Sequence, residues 1–199
     1  MSDRDASEAS RVVVWFDDEP AVFERTEASL RRKGPIIELV RFRDFEALRR
    51  DAKAIAHYSR EVPFVAFVIL SELPAASEVR ETIGTLGARG VISDLEIRGD
   101  ALGGLTLLST LSSLRPRPEL ALCSSQIDPS VRRLAEGIGI TRLVEKRDQP
   151  GIVTLVNHLL GTRDSGSLGT SRLRHSRVQR TATTELEASK RKACAKEAA

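Results

Sequence analysis

Short apolar runs alternate with segments of helical periodicity along almost the whole chain, and this alternation limits the fold more than any other feature. VVVWF (12–16), IIELVRF (36–42), VPFVAFVIL (62–70), VISDLEI (91–97), ELALCSS (119–125) and TRLVEK (141–146) read as strands. Between and after them, AVFERTEASLRRKG (21–34), DFEALRRDAKAIAHYSRE (44–61), SEVRETIGTLGARG (77–90), ALGGLTLLSTLSSL (101–114), PSVRRLAEGIG (129–139) and PGIVTLVNHLL (150–160) read as helices. Strands separated by helix-length connections pair in parallel, with helices covering both faces of the sheet. VVVWF and FVAFVIL are apolar without alternation, as expected of strands buried on both faces. The expected fold class is therefore α/β, a doubly wound, mostly parallel sheet of about six strands. Local punctuation agrees. Pro20 suits a first helical turn, Gly34 a C-cap, and Asp128 an N-cap followed by Pro129 at the first turn. Gly84 weakens the third helix.

Within the 199 residues, 41% are hydrophobic and only 4% aromatic, so the core should be mostly Val, Leu, Ile and Ala. No apolar run approaches the ~20 residues that cross a bilayer, and MSDRDASEAS lacks a secretory apolar region. Cys123 and Cys194 lie far apart without metal-ligand spacing, so a disulfide framework is not expected and the cytoplasm is the default location. Residues 1–10 read as a disordered leader, 11–161 as one domain, and 162–199 as a basic, disordered tail. The tail carries nine Lys/Arg against four Asp/Glu, although the whole chain is only +3. Such a tail is compatible with weak, salt-sensitive contacts to nucleic-acid phosphates, but it holds no aromatic interleaving and no DNA-binding motif. TELEASKRKACAKEAA (184–199) has the composition of a transient helix.

In an open parallel sheet, ligands bind beyond the carboxyl ends of the strands. The first strand ends in Asp17 and Asp18, the fourth at Asp94, the fifth in Ser124 and Ser125, and the sixth in Lys146. Three gathered carboxylates raise one another's pKa unless a cation sits among them. A hard divalent cation with oxygen ligands resolves that repulsion, and Mg2+ is typically held by one or two carboxylates with waters and a phosphate. A lysine and a hydroxyl beside them would suit a carboxylate that accepts a phosphoryl group.

This ordered set resembles the receiver domain of two-component response regulators, a five-stranded flavodoxin-like fold. VVVWFDDEP resembles the first strand and acidic pair, and GVISDLEIRGDALGGLTLL the phosphoacceptor strand, loop and next helix. ELALCSS resembles the strand that ends in the switch hydroxyl, and TRLVEK the strand that ends in the lysine. The resemblance implies that Asp17 and Asp18 bind Mg2+ with the backbone carbonyl of Glu96, that Asp94 is phosphorylated, and that Ser124 and Lys146 contact the phosphoryl group. It implies a histidine kinase or phosphotransfer protein as donor and an unnamed output protein as partner, a switch rather than an enzyme, and no membrane partner.

The chain departs from that pattern. Residues 62–89 read as an added strand–helix unit, so Asp94 lies 77 residues after Asp17. Arg147 stands where a proline usually follows the lysine, Leu143 where an aromatic usually precedes it, and Arg98 where the loop proline usually stands. A rival alignment puts Ser71 and Glu72, after FVAFVIL, in the phosphoacceptor's place. The domain would then be a non-phosphorylated pseudo-receiver, a protein-interaction scaffold with a basic tail. A phosphohydrolase with an aspartate nucleophile is disfavoured, because DDEPA lacks the Asp, any residue, Asp pattern of the haloacid dehalogenases. His57 and His158 read as ordinary helix residues, and Cys123 as a small buried hydrophobe.

Overall fold

In the computed structural model of the chain, residues 10–33, 37–162 are described. Residues 1–9 of the leader, the Gly34 cap, and residues 163–199 of the basic tail with its nucleic-acid reading fall outside them. The order is β1 (Val12–Asp17), α1 (Pro20–Lys33), β2 (Glu38–Phe42), α2 (Phe45–Tyr58), β3 (Phe64–Ile69), α3 (Ala76–Leu86), β4 (Gly90–Ser93), α4 (Gly103–Thr110), β5 (Glu119–Ser124), α5 (Pro129–Gly137), β6 (Arg142–Glu145) and α6 (Gln149–Leu160). The strands form one six-stranded sheet in the order β2-β3-β1-β4-β5-β6, and every pairing is parallel.

Side-chain character explains the order. All of β1 and nearly all of β3 are buried, which only a central position allows, whereas β2 and β6 are half-buried and lie at the edges. β3 thus sits inside the sheet, between β2 and β1, and β2 lies at the edge. Leaving out either of these two strands, β2 or β3, gives the flavodoxin-like order with its strands renumbered, so the sheet has one strand more than that five-stranded order. α1 and α6 cover one face, packing on Val13, Trp15, Phe67 and Ile92, with Trp15 and Phe23 set against Phe67 at 5.4 and 5.3 Å between ring centres. α2, α3, α4 and α5 cover the other, packing on Val12, Val14, Phe16 and Val68. Each large aliphatic or aromatic side chain removed from water contributes roughly 1.5–3 kcal/mol before entropy is counted.

Local signals set the helix boundaries. Asp44 caps α2 by accepting from the Ala47 N–H, and Leu48, Ala52 and Ile55 form its buried stripe. Asp128 caps α5 by accepting from the Ser130 and Val131 N–H groups, with Pro129 at the first turn. α6 begins one residue earlier than its periodicity predicts, because Asp148 caps it through the Gly151 N–H. α3 runs through Gly84 and stops at Gly87, whose φ of +58° suits a residue without Cβ.

One boundary differs more. β4 closes at Ser93 and does not continue to Ile97. The Asp94 N–H still bonds the Phe16 carbonyl at 2.9 Å, but the chain then turns away from the ladder. Ile97 and Asp100 exchange both main-chain hydrogen bonds, at 3.1 and 3.0 Å, around Arg98 (φ +54°) and Gly99 (φ +80°). Two central residues with positive φ mark a type I′ turn. The apolar residues that extended the sequence reading therefore belong to a tight loop, in which Ile97 is buried against the core.

Candidate functional site

The chain turns outward after β1 to reach β2 and β3, then crosses β1 to reach β4. This reversal between β1 and β4 is the topological switch point, where a doubly wound sheet leaves a crevice. Register places the strand ends along one rim. The Leu70 N–H bonds the Asp17 carbonyl, and the Lys146 N–H bonds the Ser124 carbonyl, each at 2.9 Å.

Four of the expected side chains meet there. Carboxylate oxygens of Asp17, Asp18 and Asp94 lie within 4.8 Å of one another. Lys146 Nζ donates to Asp94 Oδ2 at 2.6 Å and to Asp17 Oδ1 at 3.1 Å, and Glu19 Oε1 lies 3.5 Å from it. Each carboxylate is also fixed by one main-chain N–H. Asp17 Oδ1 accepts from Glu19 at 2.9 Å, Asp94 Oδ1 from Leu95 at 2.7 Å, and Asp18 Oδ2 from Arg98 at 2.8 Å.

The other expected residues stand differently. Ser124 is buried at the end of β5, where its Oγ accepts from the Gln126 N–H at 3.4 Å. Ser125 is exposed. Glu96 lies in the loop between Asp94 and the Arg98–Gly99 turn, with its side chain exposed. Ser71 and Glu72 are exposed beyond β3, on the far side of β1 from β4, so the rival alignment does not place them in the lysine-bonded position that Asp94 occupies.

Burial governs the electrostatics. Asp17 is wholly buried, and loss of solvent pushes its carboxyl from 3.8 up to about 6, against the attraction of Lys146 and the Glu19 N–H. Asp94 is raised for the same reason, opposed by its hydrogen bond and charge pairing with Lys146. Burial by itself would lower the Lys146 ammonium, but Asp17 and Asp94 outweigh it and hold the group above the usual lysine range. Burial likewise pushes the Cys123 thiol far up, so it has no thiolate character and packs as a hydrophobe.

The donor set fits a hard divalent cation. Asp17 Oδ2 is buried and has no hydrogen-bond partner, an arrangement that costs free energy unless a cation or water occupies the crevice. Lys146 supplies one positive charge against three carboxylates. An all-oxygen set with excess negative charge suits Mg2+ far better than a soft metal.

Sequence reasoning missed two contributors. The Arg98 N–H reaches Asp18 across 80 positions, a contact that only the turn geometry creates. Gly104 lies in the first turn of α4, where a Cβ would collide with the Asp94 carbonyl oxygen. The Gly103–Gly104 pair, following an acid at a strand end, was the available signal for such a close approach.

No family model matches the chain, and no curated protein matches it. Solved structures do. The receiver domain of the putative response regulator NarL from Mycobacterium tuberculosis is 18% identical with a TM-score of 0.47, covering 76% of this chain and 97% of that one. The non-phosphorylated receiver domain of the stress response regulator RcsB from Escherichia coli is 19% identical with a TM-score of 0.47, covering 75% and 93%. A de novo designed protein with a P-loop NTPase fold also matches, at 12% identity and a TM-score of 0.42, covering 79% and 92%. These are likenesses of fold. The sheet order and crossovers make this a flavodoxin-like α/β domain. It has one strand and one helix more than the five-stranded form of that fold. Among the described residues no helix is long and apolar enough to cross a membrane.

Proposed function

We propose that the domain is a phosphoacceptor switch in two-component or phosphorelay signalling, with Asp94 as the residue that is phosphorylated. The supporting observation is the buried cluster in which Lys146 bridges Asp94 and Asp17 while Asp17 Oδ2 stays unpartnered. Asp17, Asp18 and the Glu96 carbonyl would hold Mg2+, whose contribution is to neutralise charge on the transferring phosphoryl oxygens.

A phosphohistidine on a kinase or phosphotransfer protein is the donor. An Asp94 carboxylate oxygen forms the new O–P bond as the P–N bond breaks. The imidazole leaves with the electron pair and takes up a proton from solvent. Lys146, already 2.6 Å from Asp94, pairs with a phosphoryl oxygen, and the Ser124 hydroxyl turns from the Gln126 N–H to donate to another. That exchange shifts the β5–α5 loop, and an output protein that prefers the shifted state is recruited. Group transfer onto its own side chain makes the domain a switch rather than an enzyme turning over a substrate.

Intact-protein mass after incubation with acetyl phosphate and Mg2+ tests this. One added phosphoryl group in the wild type, absent in Asp94→Ala, is expected. An unchanged wild-type mass, together with no Mg2+ binding by calorimetry, would leave the acids structural and favour the pseudo-receiver scaffold.

A further inference from the structure

We propose that Arg98 is a positioning residue that ties the end of strand β3 to the cation site, so that divalent-cation affinity depends on the Arg98 side chain. The inference rests on the cation-site reading above.

Two of the three carboxylates are held by N–H groups that are their near neighbours in sequence, Glu19 for Asp17 and Leu95 for Asp94. Asp18 differs. It is only half-buried, and the main-chain donor that fixes its Oδ2 comes from a remote loop. That donor requires two things of residue 98. It must carry an N–H, which the proline usual at this position of the resembled family lacks. It must also hold a φ of +54°, a backbone conformation that costs free energy in a residue with a Cβ.

The same residue supplies a reason for the turn to stay there. Arg98 Nε donates to the Leu70 carbonyl at 3.2 Å. Leu70 is the residue just beyond β3, and its own N–H bonds the carbonyl of Asp17. One residue therefore grips the end of β3 with its side chain and the half-exposed ligand with its main chain. The end of β3 is thereby built into the site.

Charge alone predicts the opposite sign. A guanidinium near a cation site repels the cation, so removing it should tighten binding. Arg98 is exposed, which screens that repulsion, whereas the anchoring is geometric and unscreened.

The test is calorimetric titration of the full chain with Mg2+, and with Mn2+ as a second probe, for wild type, Arg98→Ala, Arg98→Gly and Asp18→Asn. Both Arg98 variants keep the N–H and lose the anchor. Glycine also relieves the positive φ, so a loss shared by the two cannot come from strain. Affinity about tenfold weaker in both, at the low end of what outer-shell partners of metal ligands contribute, is expected. Wild-type binding that is unchanged or tighter in the Arg98 variants, yet weakened in Asp18→Asn, overturns the role of Arg98 and leaves the cation site standing. No binding by the wild type overturns both.

Discussion

Replacing Asp17 by Asn should change how stability varies with pH, by an amount that the burial of this carboxyl sets. The group titrates at 3.8 when exposed and at about 6 in the fold, a shift of about 2 units. Each unit corresponds to ~1.36 kcal/mol, so roughly 3 kcal/mol is at stake. Its sign follows from proton counting. Between the two pKa values the folded chain holds the proton more often than the unfolded chain does. The favourable contribution is complete below about pH 4, falls as pH rises, and is lost above about pH 6. Asparagine has the same shape and does not titrate. Its stability minus that of the wild type should therefore rise by about 3 kcal/mol between pH 4 and pH 7, whatever constant offset the amide brings. Groups that do not interact with Asp17 cancel in the difference.

Urea unfolding in chelator at four pH values gives the measurement, followed by the fluorescence of Trp15, the single tryptophan, which is fully buried. With a slope of roughly 2 kcal/mol per molar, the difference in midpoints should move by about 1.5 M. A difference that stays flat, or falls with rising pH, would mean that Asp17 is not held in a desolvated site, and the case for a cation site would lose its main electrostatic support.

Other consequences can be checked on the same protein. Mg2+ at 100 times its dissociation constant should add about 2.7 kcal/mol to wild-type stability, and apparent affinity should improve from pH 5 to pH 7 as Asp17 loses its proton; calorimetry at the two pH values reads both. Lys146→Met should cost about 3–5 kcal/mol at pH 7, because two buried carboxylates lose their ammonium, with part of that loss recovered at pH 5, measured by urea midpoint. Gly104→Ala should cost about 3 kcal/mol or more, since its Cβ would fall on the Asp94 carbonyl and α4 would have to move, whereas Gly137→Ala, with nothing within 4 Å, should leave the thermal midpoint almost unchanged. Leu108→Ala, a fully buried truncation, should cost about 2–5 kcal/mol in chemical denaturation.

Much of this arrangement was legible in the sequence because it depends on near neighbours. Apolar runs such as VVVWF and FVAFVIL carry their own statement of burial on both faces, and helix-long connections force parallel pairing. Asp128 caps its helix through N–H groups two and three residues away, so its role is readable from position. Asp17, Asp18, Asp94 and Lys146 could be nominated because each follows a strand, and parallel strands bring their carboxyl ends to one rim. Other features depended on contacts between distant segments. The interior position of β3 follows from which strands compete for double-sided burial, a comparison made across the whole sheet. β4 ends at Ser93 because the chain must turn tightly there and let α4 approach through Gly104, although LEI is as apolar as a strand. Asp18 meets its main-chain donor only because Arg98 adopts a left-handed turn, and no residue near Asp18 encodes that. Local patterning determined the elements and nominated the acids. Three-dimensional packing decided which oxygens are paired, which one is left bare, and that the end of β3 reaches the site.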